Sequence, residues 1–297
     1  MQARITSVGL VVRPDPADTF EYPHHIDRAS IDALPSKPGI YIFRDAQDRP
    51  LYIGKSVNIR SRVLSHLRTP EEARMLQQSR RVEFRRTAGD IGALLLESRL
   101  IKDMQPLHNK KLRRTREMCT LRLSAGVRPV PEIVYARDHD FARTENLYGL
   151  FATRKAALEK LREIVETEKL CPALSGLETA IHGRACFARQ ILRCLGACIG
   201  EESAEEHSRR LKAALDEMRI VTWPYTGPMG IVEECGGWKQ THVIDHWFYV
   251  GSIDHLSGAP PVARLTRKSF DVDTYKILVK PMLRGELRIE RVDGFIL

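Results

Sequence analysis

The stretch of sequence that decides the fold is Pro38-Gly39-Ile40-Tyr41, followed after nine further residues by Leu51-Tyr52-Ile53-Gly54-Lys55. Residues 40–44 and 51–53 are apolar runs typical of strands, and the segment 45–49 between them is polar. Two strand-like runs joined by a short polar segment predict a β-hairpin. This hairpin would carry one tyrosine on each strand, Tyr41 and Tyr52.

The chain after the hairpin predicts a helix with two polar residues on one face. Asn58 can cap a helix over residues 59–67 through its side-chain oxygen. Arg62 and His66 are four residues apart on that helix and therefore share a face. The planar guanidinium of Arg62 suits a phosphate, and His66 can donate to a phosphate or move a proton.

A second helix, predicted over residues 89–104 and stopped by Pro106, carries an unusual carboxylate. Glu97 shares a helix face with three apolar residues, Leu94, Ile101 and Met104. A carboxylate on an apolar stripe is costly unless it is paired or binds a cation. Mg²⁺ needs only one or two protein carboxylates, because it keeps several of its waters. We therefore expect Glu97 to hold one divalent cation, Mg²⁺ or Mn²⁺.

Excess positive charge is concentrated in the first part of the chain. The 297 residues carry a net charge of +9, of which residues 1–117 contribute +8 and residues 118–297 only +1. A confined basic region favours a polyanion such as nucleic acid, although basic side chains that solvate a helix give the same count. Four residues in this region are predicted to contact the backbone of such a polyanion: Lys110, Lys111, Arg113 and Arg114.

Four of the six cysteines lie within residues 171–198: Cys171, Cys186, Cys194 and Cys198. The chain shows no apolar run long enough for a membrane span and no secretory signal, so we expect a cytoplasmic protein with reduced thiols. Clustered thiols then favour an iron–sulfur cluster or zinc, with buried free cysteines as the alternative. The spacing is not the Cys-x2-Cys knuckle usual for structural zinc.

The remaining patterns predict an α+β chain. Further strands are expected at 5–12, 81–87, 120–123 and 132–136, and further helices at 71–79, 154–168 and 203–218. After Trp223, short β-rich runs follow at 230–233, 246–250, 275–279 and 287–292. The predicted units are an N-terminal lead-in (1–33), an α+β domain with a small central antiparallel sheet flanked by helices (34–115), a segment of linker strands, helices and the cysteines (116–219), and a small β-containing C-terminal domain (220–297).

The paired motifs Gly39-Ile40-Tyr41 and Tyr52-Ile53-Gly54 resemble those of the GIY-YIG nucleases, over about residues 34–115. The resemblance implies a DNA endonuclease with the site residues Tyr41, Tyr52, Lys55, Arg62, His66, Glu97 and Asn109. A tyrosine would activate the attacking water, with Tyr52 the first choice and Tyr41 the second. A cation such as Lys55 or a metal would favour the phenolate. For Asn109, a turn or capping role is as plausible as a site role.

The cysteine segment, Cys186-Phe187 through Cys194-Leu195-Gly196-Ala197-Cys198, is similar to the segment that follows the GIY-YIG domain in the UvrC family. Leu34-Pro35 and the Leu94-Leu95-Leu96-Glu97 run are also UvrC-like. This resemblance implies damaged double-stranded DNA as substrate, incision on the 3′ side of a lesion, UvrB (with UvrA) as partners, a link to the SOS response and a [4Fe–4S] cluster rather than zinc. No second nuclease domain or UvrB-binding segment is evident, so the resemblance implies a short family member that makes one of the two cuts.

Two other functions fit parts of the sequence. One is a stand-alone, structure-specific GIY-YIG nuclease that cuts branched DNA, although no zinc finger or separate DNA-reading module is evident. The other is a non-catalytic metal-cluster protein that binds DNA. The presence of Tyr41, Tyr52, Arg62 and Glu97 together argues against the second.

Overall fold

The computed structural model describes residues 23–109, 118–126, 128–179, 184–255 and 270–292. Within these residues lie three antiparallel sheets, in the strand orders β2-β1-β3, β5-β4-β6 and β10-β7-β8-β9. The strands are β1 (Gly39–Arg44), β2 (Pro50–Ser56), β3 (Arg81–Arg86), β4 (Cys119–Leu123), β5 (Pro131–Tyr135), β6 (Leu147–Phe151), β7 (Met229–Cys235), β8 (Trp238–Asp245), β9 (Phe248–Asp254) and β10 (Arg288–Arg291).

Helices connect and cover these sheets. They are α1 (Arg28–Asp32), α2 (Ile59–Leu67), α3 (Ala73–Gln78), α4 (Asp90–Met104), α5 (Arg154–Thr167), α6 (Phe187–Gln190), α7 (Ala204–Asp216) and α8 (Val272–Leu283), with a 3-10 turn at Pro70–Glu72. No helix in the described part of the chain is both long and apolar enough to cross a membrane. The chain is thus of the α+β class, with a small N-terminal sheet and a separate C-terminal sheet, as predicted.

The hairpin predicted from the sequence forms β1 and β2. Every residue of β1 is buried, because this strand is central in its sheet and is covered on both faces. Phe43 faces a core with α1 and α2, and Ile42 faces a second core with α4. Asn58 caps α2 as expected, its side chain accepting a hydrogen bond from the Ser61 N–H.

Helix α4 lies between two sheets and is buried on two sides. Its residues Leu100 and Ile101 pack on β1 and β2, whereas Leu95 belongs to the core of the C-terminal sheet. The core of the C-terminal sheet includes two of the three tryptophans, Trp223 and Trp247. The C-terminal sheet is therefore packed directly against the helix that carries Glu97.

The prediction of a strand at residues 275–279 is wrong, because these residues lie inside α8. Tyr275, Ile277 and Val279 alternate as a strand would, but the segment is capped by Asp271, whose carboxylate accepts from the Asp273 N–H and the Thr274 hydroxyl. Tyr275 and Leu278 then face one core at helical spacing. The cap and the packing outweigh the two-residue periodicity.

Several elements are present that the sequence patterns did not indicate. They are the short helix α1, whose Ile31 joins the core of the first sheet, and the strands β6 and β8. The segment predicted as one helix at 71–79 is a 3-10 turn followed by α3. The strand expected at 5–12 and the basic residues Lys110, Lys111, Arg113 and Arg114 lie outside the described residues.

Candidate active site

The two motif tyrosines lie side by side on the hairpin, with ring centroids 6.2 Å apart. Tyr41 is fully buried, and Tyr52 is half-buried. Both motif glycines are explained by close approach: a Cβ on Gly54 would overlap the Tyr41 hydroxyl, and a Cβ on Gly39 would overlap the backbone oxygen of Arg85. Gly54 thus leaves room for the phenol of Tyr41, and Gly39 lets β1 lie close to the backbone of β3.

Helix α2 brings His66 and Arg62 to the phenols, as predicted from their spacing. The Tyr41 hydroxyl lies 2.5 Å from Nε2 of the buried His66, and Nδ1 of His66 contacts the Glu72 carboxylate. Because a carboxylate only accepts hydrogen bonds, Nδ1 carries the proton and Nε2 accepts from Tyr41. The result is a connected chain of Tyr41, His66 and Glu72.

The surroundings of the two phenols and of the imidazole keep Tyr41, Tyr52 and His66 uncharged at neutral pH. Burial raises the pKa of Tyr41 well above its ordinary value, and the Arg62 guanidinium beside its hydroxyl only partly opposes the shift. Burial and the charge of Glu97 also raise the pKa of Tyr52. Burial lowers the pKa of His66, against the opposing effect of Glu72. At neutral pH the imidazole is therefore a neutral acceptor for a proton.

Glu97 reaches the site from α4, on the other side of the hairpin. Its Oε1 accepts a hydrogen bond of 3.0 Å from the Lys55 backbone N–H, and burial raises the pKa of its carboxyl group. Among the described residues no salt bridge to Glu97 is present. A half-buried carboxylate without a cationic partner is the type of group that binds a divalent cation.

The structure places Lys55 differently from its predicted position beside the tyrosines. Its ammonium group pairs with Asp90 at the start of α4, with Nζ 2.8 Å from Oδ1. Among the described residues, Arg62 is the cation whose guanidinium lies beside the Tyr41 hydroxyl. Lys55 therefore links β2 to α4 through both its backbone and its side chain.

Asn109 does not point at the tyrosines but holds the chain after α4 on the hairpin. Its Oδ1 accepts from the Ile53 N–H at 2.9 Å, and its Nδ2 donates to the Ile53 carbonyl at 2.8 Å. This pair of bonds imitates a neighbouring strand. Asn109 thereby fixes the middle of the Tyr-Ile-Gly motif.

Two acidic residues of the site were missed by sequence reasoning. Glu72 and Asp90 each follow a loop, where an acidic residue at a helix start is ordinary. Neither has a spacing relation to its partner, since Glu72 meets His66 through the turn at Pro70–Glu72 and Asp90 meets Lys55 across the sheet. Glu72 and Asp90 can therefore be recognised as site residues only from the folded structure, where the chain brings them next to His66 and Lys55.

The cysteine segment brings its four sulfur atoms together. The Sγ of Cys186 lies 3.5 Å from that of Cys194 and 3.8 Å from that of Cys171, and the ligand atoms of Cys171, Cys186 and Cys198 all lie within 4.8 Å of one another. Four converging thiols fit either a zinc ion or an iron–sulfur cluster. A single tetrahedral zinc with bonds of about 2.3 Å separates its sulfurs by about 3.8 Å. A cubane cluster holds them further apart.

Comparison with known proteins first defines the class. The family model described as "UvrC-like GIY-YIG domain" matches residues 37–110, so the hairpin and its helices form a GIY-YIG endonuclease domain. The models for "UvrC/Cho excinuclease, middle domain" and "Excinuclease Cho C-terminal domain" match residues 118–217 and 228–295.

Relatives then define the family. The chain is 49% identical to "Excinuclease cho" of Escherichia coli (strain K12) over 99% of its own length and 97% of that protein. It is 32% identical to "UvrABC system protein C" of a Synechococcus strain over 60% of this chain and 29% of that protein. The magnesium-bound N-terminal endonuclease domain of UvrC from Thermotoga maritima is 32% identical, covering 28% of this chain and 94% of that one, with a TM-score of 0.26. The chain belongs to the UvrC/Cho excinuclease family, and it is an endonuclease of DNA excision repair.

Proposed function

We propose that this nuclease hydrolyses one phosphodiester of the damaged strand on the 3′ side of a lesion, acting with UvrA and UvrB in the cytoplasm. The observation that carries the chemistry is the convergence of Tyr41, Tyr52, Arg62 and His66 on one side of the hairpin with Glu97 at its edge. The partners are supported by the similarity to UvrC, whose name places it in the UvrABC system.

We assign the base to Tyr52, since its hydroxyl is the less buried of the two phenols. Arg62, which is exposed, would bind the phosphate, and Tyr41 with His66 and Glu72 would form the polar wall behind the base. A divalent cation held by Glu97 would supply charge stabilisation at the phosphate. A cation there would also offset the charge of Glu97, which together with burial raises the pKa of Tyr52.

The test is an incision assay on a lesion-containing duplex, with and without UvrA and UvrB. Tyr52→Phe should lower the incision rate by about 100-fold or more, because it removes the hydroxyl that would take the proton of the attacking water while passing its own proton, by way of Tyr41, to Nε2 of His66. Glu97→Gln should abolish metal-dependent incision, whereas Asp103→Asn, an exposed carboxylate on the same helix, should leave it unchanged. Normal incision by Glu97→Gln would refute the proposed metal site.

The same assay separates the alternatives. Efficient cutting of flaps or junctions without UvrB would favour a structure-specific nuclease of branched DNA. Absence of any metal-dependent nicking with both partners present would favour a non-catalytic DNA-binding protein. Cuts found only on the 5′ side of the lesion would overturn the assigned polarity.

We also propose that the four clustered cysteines hold a metal centre, a [4Fe–4S] cluster by resemblance to the UvrC family. Anaerobically purified protein should then contain iron and sulfide and show a broad visible absorption that bleaches on reduction. Zinc without visible absorption would fit the short sulfur–sulfur distances better. A protein with neither metal would assign the thiols to the core.

The basic run Lys110, Lys111, Arg113 and Arg114 is proposed to bind the DNA backbone. Removal of a side chain that neutralises a phosphate should reduce the dependence of the affinity on salt, because fewer counterions are released on binding. The measurement is the DNA dissociation constant of the Lys110→Ala/Lys111→Ala variant over a series of salt concentrations. An unchanged slope would remove these residues from the interface.

A further inference from the structure

Helix α4, which carries Glu97, lacks a cap from its own neighbouring sequence. Its N-cap position is Gly89, which has no side chain to accept the free N–H groups of the first turn. The first turn is also intrinsically weakened by Gly92, because glycine inside a helix costs about 1 kcal/mol relative to alanine. Something else must define where this helix begins.

The C-terminal sheet supplies the missing cap. The Glu233 carboxylate on β7 accepts from the Ile91 N–H at 2.9 Å and from the Gly92 N–H at 2.7 Å. Gln240 on β8 accepts from the Ala88 N–H at 2.9 Å. The first turn of α4 is therefore held by side chains more than 140 positions away in the sequence.

The cap is itself fixed by a buried polar chain. Nε2 of His242 lies 3.0 Å from Glu233, and its Nδ1 lies 2.7 Å from the Ser252 hydroxyl. His242 is fully buried. The fit leaves no spare room, since a Cβ on Gly92 would overlap the His242 ring and a Cβ on Gly89 would overlap the Glu233 carboxylate.

Two further interactions hold the rest of α4 to the same part of the chain. Arg99 donates to the Val250 carbonyl at 2.8 Å, and Lys102 pairs with Asp271 at 2.6 Å. The other side of the helix carries the site, where Asp90 binds the Lys55 ammonium and Glu97 binds the Lys55 N–H. A shift of the helix start would move Asp90, Glu97 and the end of β2 together.

We propose that the C-terminal sheet positions the catalytic helix, with Glu233 as the positioning residue that sets the start of α4 and hence the place of Glu97. The inference rests on the proposed metal role of Glu97. It gives the C-terminal sheet a part in the nuclease reaction without any contact to the reacting atoms.

The experiment compares Glu233→Ala and Glu233→Gln with Glu234→Ala in the full-length chain. Glu234 is the exposed neighbour on the same strand, so its variant makes the same change of charge. In the Glu233 variants the Mg²⁺ concentration for half-maximal incision should rise by about 10-fold, as for loss of a group that orients a metal ligand. The affinity for lesion-containing DNA should stay unchanged.

Circular dichroism shows whether each variant is folded, and a second set of variants tests the same packing in another way. Gly92→Ala should impair incision because its methyl group meets the His242 ring. Adding His242→Ala makes room for that methyl group, so the double variant should incise no more slowly than His242→Ala alone. Strictly additive losses would mean that this packing does not position the helix.

The outcomes distinguish the two claims. If Glu97→Gln abolishes incision but folded Glu233→Ala keeps a normal rate and normal Mg²⁺ dependence, the positioning role fails and the proposed function stands. If Glu97→Gln incises normally, the proposed metal site is refuted, and the positioning role of Glu233, which rests on it, is refuted as well. A uniform loss of DNA binding in the Glu233 variants would also overturn the inference, since it would place Glu233 at the substrate interface.

Discussion

Both ring nitrogens of His66 have a partner, Glu72 at Nδ1 and Tyr41 at Nε2. These partners determine which nitrogen can accept a proton. Glu72 fixes the tautomer that leaves Nε2 free to accept from Tyr41. The spacing of Arg62 and His66 predicted their shared face, but not the carboxylate behind them. The chemistry of the imidazole is therefore decided by a residue on the following turn.

Glu72→Gln should lower the incision rate on the order of 10-fold by weakening the orientation and basicity of His66. Glu72 raises the pKa of His66 against the effect of burial, so its removal lets that pKa fall further. The acid limb of the pH–rate profile should then move to lower pH, because the imidazole becomes neutral at a lower pH. Glu71→Gln, an exposed neighbour, is the control, and an unmoved limb would contradict the role of Glu72.

Asn109→Ala should destabilise the protein by about 1–3 kcal/mol, since the buried Ile53 backbone loses both of its side-chain partners. The free energy of unfolding in urea measures this loss. Incision should fall in proportion to the unfolded fraction. A rate loss of about 100-fold in a fully folded variant would instead assign Asn109 to the reaction itself.

At the scale of elements, helices with both a side-chain cap and a regular spacing of apolar residues were predicted with bounds correct to within one or two residues. Helix α2 begins and ends as expected, because Asn58 caps it and its apolar residues keep a regular spacing. The strand predicted at 275–279 was wrong because three alternating apolar residues were interpreted as a strand, whereas the cap at Asp271 and the packing of the segment make it a helix. Strand β6 was missed because its identity depends on pairing with β4.

Asn58→Ala should cost about 1 kcal/mol of stability by removing the cap of α2. It should also slow incision, because Arg62 and His66 are carried by this helix. Thr153→Ala removes the equivalent cap of α5, where Thr153 accepts from the Ala156 N–H. That control should show a similar loss of stability, by thermal unfolding, with incision unaffected; an equal effect on incision would mean that general stability explains both.

At the scale of the whole molecule, α4 joins the GIY-YIG sheet and the C-terminal sheet into one packed unit. Its two sides contribute to different cores, through Ile101 on one side and Leu95 on the other. Leu95→Ala should therefore weaken the attachment of the C-terminal sheet rather than the hairpin, at a cost of about 2–5 kcal/mol. Hydrogen exchange measures this: the exchange rate should rise at the amides of β7 in the C-terminal sheet and not at those of β1 in the hairpin.

Acid should loosen the same attachment. Burial tends to raise the pKa of Glu233, but the His242 contact and the two backbone N–H groups outweigh it and hold the pKa below its ordinary value. The carboxylate therefore adds stability above the pKa it has in the unfolded chain, and this stability disappears as pH falls through the lower folded value. Exchange at the Ile91 and Gly92 amides should accelerate in that acidic range. Exchange independent of pH, after correction for the intrinsic rate, would contradict the cap.

The sequence by itself determined the hairpin, the two helices that flank it and the α+β class, and it predicted five residues that the structure brings to the candidate site, Tyr41, Tyr52, Arg62, His66 and Glu97. These follow from local signals: apolar periodicity, side-chain caps and motif residues at short spacing. The tertiary structure alone decided that Glu72 orients His66, that Lys55 pairs with Asp90 rather than with the phenols, and that Glu233 caps α4. Each of these interactions joins segments whose separation leaves no periodic trace, because it forms only when the chain has packed.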